Sequence, residues 1–461
     1  MVEKSIYKLF LYNTLGRKIQ QFQPINPPNV GIYSCGPTVY WYQHIGNLRT
    51  YIFSDLLKRT LIYDGYKVKH VMNITDVGHL TSDEDSGEDK IEKAAKKEHK
   101  TASEISNYYW KVFRDDLKKL NIIEPNIWCK ATEHIKEQIE LIKKLEKKGY
   151  TYKTGDGVYF DSSKLRDYGK LAMIKRDGLE AGKRVDIREK KNPTDFALWK
   201  FSKNEGERQQ EWNSPWGVGF PGWHIECSAM SMKYLGEHFD IHIGGEEHIP
   251  VHHTNEIAQS EAATGKKFVN YWIHTRWLLF KGEKMSKSKG DLYTISALEE
   301  KGYNPLTFRY FCSTAHYRKQ LNFTFENLDN AQNAYNRLKN IVNEIKEDGK
   351  INQNYLKKFE AVINDDIDIP KALSILWELV RDKNAVGKYK TIEKMDSIFG
   401  LDLLKKEKIE ISEEVQKLLV EREKARKAKN FKLGDELRDK IKKIGYNIKD
   451  TPEGQKLEKI K

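Results

Sequence analysis

The chain has 461 residues, more than a single hydrophobic core usually organises, so two to four domains are expected. Lys and Arg number 80 against 67 Asp and Glu, and the net charge of +13 favours anionic partners such as nucleic acid, although a solvated lysine-rich surface gives the same figure. Four scattered cysteines (35, 129, 227, 312) exclude a disulfide framework, no apolar run nears the roughly 20 residues that cross a bilayer, and Met1 to Lys18 does not read as a signal peptide, so a soluble cytoplasmic protein without a membrane partner is expected.

In chain order, Val30 to Cys35 reads as a short strand stopped by Gly36 and Pro37. Asn47 to Tyr63 carries Leu48, Ile52, Leu56 and Leu57 at helical spacing, and Lys67 to Ile74 reads as a second strand. Strand, crossover helix, strand is the pattern of a parallel α/β sheet, whose ligands bind at the carboxyl ends of its strands, where Cys35 and His44 fall. Five acids among the nine residues Thr81 to Asp89 predict an exposed loop. Helices are predicted over Ile91–Leu120 and Thr132–Lys148, and short inserted strands over Gly149–Lys203. The sheet is expected to resume at Gly222–Asp240 and end at Phe268–His274. From Asn327 the chain is helical in period, broken by Asp-Ile-Asp-Ile-Pro at 366–370, and a last module starts near Ile411.

Three groups of residues suggest chemistry. His44, Gly46 and Asn47 stand where a helix begins, and free N–H groups, a close-approach glycine and an imidazole there suit a phosphate, though a plain polar helix start has the same residues. Lys284, Met285, Ser286, Lys287 and Ser288 put two ammonium groups on a polar loop, which suits a departing pyrophosphate as well as an ordinary lysine-rich turn. Pro250 bars a helix from extending back, so His252 and Glu256 would share a face one turn apart, with His253 facing elsewhere and His248 off the helix. Cys35 and Cys227 reach that face only through the fold. Two thiolates, an imidazole and a carboxylate would suit Zn²⁺, whereas the same residues could also be two small buried cysteines and a surface histidine.

The first two motifs, HIGN (44–47) and KMSKS (284–288), resemble the paired signatures of class I aminoacyl-tRNA synthetases. CGPTVY (35–40), NITDV (73–77), PGWHIECSAM (221–230), HHTNEIAQS (252–260), NYWIH (270–274) and AKNFKLGDELRDKIKKIGYNIKDTPEG (428–454) resemble cysteinyl-tRNA synthetase in particular, covering nearly the whole chain. The resemblance implies a Rossmann-like parallel-sheet domain in two halves (1–130 and 206–270) around a connective insertion (131–205), a KMSKS-bearing stem-contact region (271–325), a helical bundle (326–405) and an anticodon-binding module (406–461). It implies a monomeric cysteine–tRNA ligase acting on L-cysteine, ATP with Mg²⁺, and cysteine tRNA. Cys35, Cys227, His252 and Glu256 would hold one Zn²⁺ that selects the substrate thiolate. His44, Asn47, Lys284 and Lys287 would be catalytic, with His44, Gly46, Asn47 and Lys287 binding ATP. Gly36, Thr38, Thr75, Trp223 and His224 would line the amino-acid pocket, and Arg422, Arg426, Lys427 and Arg438, in two basic helical stretches, would meet tRNA. Residues 401–461 carry 18 Lys and Arg against 13 Asp and Glu.

Asn47 departs from the usual second histidine and still offers a hydrogen-bond donor but no imidazolium. The acidic segment after Asp76 and Asp291 after Gly290 also depart from the family pattern. A related enzyme class that joins a cysteine adenylate to an amino sugar would have no reason to keep residues 411–461. A non-catalytic RNA-binding paralogue would not need Lys287 or the full ligand set.

Overall fold

The computed structural model describes residues 8–78, 89–173, 190–204, 206, 208–280, 282–284, 293–405, 412–451 and 454–459. It forms two compact units, 1–403 and 404–461.

In the first unit a hairpin of β1 (Phe10–Asn13) and β2 (Lys18–Gln21) precedes β3 (Asn29–Ser34), α1 (Ile45–Tyr63) and β4 (Lys67–Ile74). Next come α2 (Lys90–Glu98), α3 (Ala102–Lys119), β5 (Ile127–Lys130) and α4 (Ile135–Lys147). The predicted helix over 91–120 is thus two helices. His99 takes a left-handed backbone that ends α2, and Thr101 with Glu104 forms a reciprocal capping box that starts α3.

Four short antiparallel strands follow, β6 (Thr151–Lys153), β7 (Gly157–Phe160), β8 (Phe196–Phe201) and β9 (Gly219–Pro221), paired in that order. The insertion sheet therefore runs to Pro221, beyond the predicted boundary at 205. Residues 222–240, expected as sheet, are mostly the helix α5 (Trp223–Leu235), and β10 (Phe239–Gly245) comes after it. With α6 (His252–Thr264) and β11 (Val269–Thr275), the main sheet closes within one residue of the expected Phe268–His274.

The main sheet has the order β11-β10-β3-β4-β5, all parallel, with Ile241 opposite Ile32 and Val30 opposite Val68. The chain leaves β3 toward β4 and later returns to its other side as β10, so the carboxyl ends of β3 and β10 flank the switch point where such sheets bind ligands. Tyr33, Val71, Phe239, Phe268 and Trp272 form the core beneath it, and Cys35 and Cys227 belong to the same cluster. Phe160, Phe196, Leu198 and Trp199 of the inserted sheet pack on Ile225 and Ala229 of α5 and on Ala258 and Ala262 of α6. Each large side chain buried there contributes about 1.5–3 kcal/mol. The insertion thereby supports the two helices that frame the switch point.

A three-stranded sheet of β12 (Leu278–Phe280), β13 (Glu283–Lys284) and β14 (Leu321–Phe323) holds α7 (Ile295–Glu300) and α8 (Pro305–Ser313) between its strands in sequence. The helices α9 (Phe325–Asn343), α10 (Gln353–Ile363), α11 (Ile369–Arg381) and α12 (Lys388–Phe399) complete the unit. Asp366 and Ile367 both have positive φ, and Asp368 then caps α11, which is the break expected at 366–370. Buried Arg309 of α8 bridges Asp55 of α1, the Phe399 carbonyl and the Leu120 carbonyl, so the helical region belongs to the same unit as the sheet.

The second unit has α13 (Glu413–Lys427), α14 (Phe431–Lys443) and an antiparallel hairpin of β15 (Tyr446–Thr451) and β16 (Gly454–Lys459). The hairpin corrects the expectation of an almost wholly helical end. Val415, Ala425, Leu437, Ile441 and Ile448 form its small core. Among the described residues no helix is long and apolar enough to cross a membrane.

Candidate active site and metal centre

Cys35 lies just past β3, Cys227 in α5, and His252 and Glu256 one turn apart at the start of α6. Donor atoms of all four lie within 4.8 Å of one another, and all four residues are buried. His252 Nε2 is 3.0 Å from Glu256 Oε1, and Cys35 Sγ is 4.0 Å from that oxygen. The edges of a tetrahedral zinc site, with bonds of about 2.0–2.3 Å, are roughly 3.3–3.8 Å long, so small side-chain rotations bring these donors to an ion. Two sulfurs, one imidazole and one carboxylate are a donor set that zinc accepts.

The charges favour a cation. Burial alone would raise the Glu256 carboxyl and depress the His252 imidazole, but each is the other's counter-charge. Glu256, with His242 and His252 beside it, is held down at about 2, and His252, facing Glu256 and Cys227, is held up at about 10. Burial and the bond to Cys227 push the Cys35 thiol well up, whereas the same bond lowers Cys227. His252 and Cys35 thus carry protons that an ion would displace.

A surrounding layer orients the donors. His224 Nδ1 lies 2.9 Å from His252 Nδ1, so one ring donates to the other and leaves His252 Nε2 aimed at the site. His242 Nε2 lies 2.9 Å from Glu256 Oε2. His253 was expected to face elsewhere, yet its Nε2 is 3.2 Å from Cys35 Sγ, and its Nδ1 is 2.7 Å from His274 Nε2. The reason is that α6 is buried all round, so neighbouring residues both meet protein. A second donor set, Cys35, His242, His253 and Glu256, overlaps the first but has one sulfur. His242, His253 and His274 carried no sequence signal, because only the parallel sheet brings them together.

Above the donors is a cleft of about 130 Å³ lined by Gly36, Thr38, Thr75 and Trp223, together with Asn47, Gln43 and His248. Trp223 stacks on His252 with ring centroids 4.2 Å apart. His224, expected in the pocket wall, stands instead behind His252. At Gly36 a side chain is impossible: a Cβ would sit 1.7 Å from the Asn73 carbonyl oxygen. His248 lies off α6, as expected, in the short turn Glu246–His248.

His44 is the N-cap residue of α1, and Gly46 and Asn47 are in its first turn. Asn47 donates one side-chain N–H to Gln43 Oε1 at 2.7 Å. Lys284 ends β13 opposite Leu279. Met285, Ser286, Lys287, Ser288 and Asp291, like the acidic residues 81–88, lie outside the described residues.

In the second unit Lys427 and Arg438 are exposed. Arg422 is fully buried, and its guanidinium is committed to Asp450 at 2.9 Å and to Gln455. The expectation that Arg422 meets tRNA is therefore corrected: a side chain without solvent exposure cannot reach a phosphate. Arg426 shares Asp450 at 2.8 Å but stays partly exposed.

The fold is that of a class I aminoacyl-tRNA synthetase. Residues 21–333 match the family model of the class I (C) tRNA synthetase catalytic domain, and residues 409–456 match the cysteinyl-tRNA ligase anticodon binding domain. The Mycobacterium tuberculosis methionyl-tRNA synthetase solved with methionyl-adenylate shares the fold at a TM-score of 0.57 and 14% identity, over 81% of this chain and 90% of that one. Cysteine–tRNA ligase 1 of Burkholderia lata is 50% identical over 97% of this chain and 96% of its own length. The cysteine–tRNA ligase of Treponema denticola is 48% identical over 96% and 98%. The chain belongs to the cysteine–tRNA ligase family of class I synthetases, and is a ligase.

Proposed function

We propose that the chain converts L-cysteine and ATP to cysteinyl adenylate and passes the cysteinyl group to the 3′ end of cysteine tRNA, working as a cytoplasmic monomer. The cysteine carboxylate attacks the α-phosphorus of ATP, and the bond to the pyrophosphate oxygen breaks. A hydroxyl of the terminal ribose then attacks the acyl carbon, and AMP leaves. The observation that carries this reading is the set of four soft and hard donors at the floor of the cleft.

Cys35, Cys227, His252 and Glu256 would hold one Zn²⁺, with His224 and His242 orienting two of them. The ion, when bound, would take the substrate side chain as its thiolate, a discrimination against serine that shape alone, at ~1–3 kcal/mol, does not supply. Gly36, Thr38, Thr75 and Trp223 would seat the rest of the amino acid. His44, Gly46 and Asn47 would meet the phosphates at the α1 N-terminus, where backbone N–H groups favour anions, and Mg²⁺ would accompany ATP. Lys284 and Lys287 would neutralise the leaving pyrophosphate, so catalysis would be positioning and electrostatics without a side-chain nucleophile. Arg426, Lys427 and Arg438 would contact tRNA. Pyrophosphate exchange with each amino acid, alongside zinc content by mass spectrometry, tests the reading: exchange should require cysteine and one zinc per chain.

A further inference from the structure

Arg49 stands two residues after Asn47 on α1 and is 3% exposed. Its guanidinium donates to four main-chain carbonyls. Nη1 reaches Arg276 O at 2.8 Å and Trp277 O at 2.7 Å, and Nη2 reaches Lys319 O at 2.6 Å and His316 O at 3.4 Å. Burying a charge is costly, and here the hydrogen-bonding partners are backbone oxygens, with the Glu246 carboxylate a counter-charge beyond them.

The four carbonyls belong to two segments, one entering β12 and the other entering β14. Those strands pair in parallel, Leu278 with Leu321, and β12 also carries β13, where Leu279 faces Lys284. Arg49 therefore grips the root of the whole three-stranded sheet. Two shorter links lie on either side of it along α1. The Ile45 N–H donates to Tyr293 O at 2.8 Å, and the hydroxyls of Thr50 and Thr275 are 2.7 Å apart. Glu246 braces the same segment from the end of β10, accepting from the Trp277 N–H at 2.7 Å and from the Arg276 guanidinium.

We propose that Arg49 is a positioning residue for adenylate formation: it fixes the start of α1, with His44, Gly46 and Asn47, against the β12–β13 hairpin that carries Lys284. The inference rests on the reading that ATP binds between these two elements. Only a planar fork with several donors reaches both segments at once. A lysine ammonium keeps the charge but is a compact group that cannot span them. The candidate metal donors stand just past β3 and on α5 and α6, and none of them is among the Arg49 hydrogen-bond partners.

The test compares the full-length chain with Arg49→Lys and Arg49→Gln in cysteine-dependent pyrophosphate exchange, with zinc content and melting temperature measured in parallel. A misplacement of the order of 1 Å costs up to about 100-fold. We expect kcat/KM for ATP to fall about 10- to 100-fold in Arg49→Lys, while the KM for cysteine and the zinc content hold within about twofold. ATP kinetics within twofold of the unsubstituted chain in a folded, zinc-loaded Arg49→Lys would overturn the proposal. So would a loss spread equally over ATP, cysteine and zinc, which would mark general damage to the fold. Arg49→Gln, lacking the charge, should be worse in the same direction, and the milder variant decides the matter where it fails to fold. No cysteine-dependent exchange in the unsubstituted chain would instead overturn the assigned reaction, and this proposal with it.

Discussion

The metal pocket and the C-terminal unit treat ionisable side chains in opposite ways. In the pocket Cys35, Cys227, His252 and Glu256 are all buried, and each is held by the others or by a histidine behind it. In the C-terminal unit Lys427 and Arg438 stand in solvent, and the buried exception, Arg422, is locked to Asp450. On the proposed function the contrast follows from the partners. Selecting one small thiol requires preorganised donors in a water-poor site, whereas attracting a polyanion requires solvated charge that can trade counterions for phosphates.

Replacing a pocket donor should therefore have a large and narrow effect. Cys227→Ser should lose zinc and lower kcat/KM for cysteine by ~10³-fold or more, with ATP binding nearly unchanged. Stoichiometric zinc with a normal cysteine KM in that variant would misassign the site. Filling the site should also release protons. His252 and Cys35 both have raised pKa values, so both are protonated in the metal-free protein near pH 7, and zinc must displace two protons. Zinc affinity should accordingly fall by about two decades per unit of acidification near neutrality, and calorimetry in buffers of different ionisation enthalpy counts the protons.

The pocket was partly legible in the sequence because two of its donors lie on one helix at i, i+4, and family motifs supplied the other two. The surrounding histidines were not legible. His242, His253 and His274 meet only through parallel strands and a helix buried on every side, so no local period marks them. Residues 223–235 misled in a related way: a helix buried all round shows no apolar stripe and resembles a buried strand. The break between α2 and α3 was readable in Thr101 and Glu104, a capping pair inside an otherwise continuous helical pattern. Nothing in the run of basic residues distinguishes Arg422 from Arg426, since Asp450 lies 28 residues further on.

Removing the C-terminal unit should produce a smaller effect on a different step. A chain ending at Lys405 should keep cysteine-dependent exchange while the KM for tRNA rises by roughly 100-fold, with a shallower salt dependence. Normal charging by that chain would place tRNA recognition elsewhere.

Within that unit, Asp450→Ala should be milder still. It leaves Arg422 buried with Gln455, and because Asp450 is itself 37% exposed it should destabilise the unit by only about 1–2 kcal/mol, read by thermal melting, without changing exchange. Asp450 is held below the usual carboxylate range by its bonds to Arg422. A depressed carboxyl contributes stability that is fully present above about pH 4 and is lost as pH falls through its folded value, so the substitution should matter at neutral pH and fade in strong acid.

The central claim, that these four residues hold a metal that reads the substrate thiol, is tested most directly by cobalt substitution. Co²⁺ in the site should show a thiolate charge-transfer band from Cys35 and Cys227. Saturating L-cysteine should increase that band by about half, as two thiolates become three, and L-serine should leave it unchanged. A band that does not respond to cysteine, or responds equally to serine, would contradict the account.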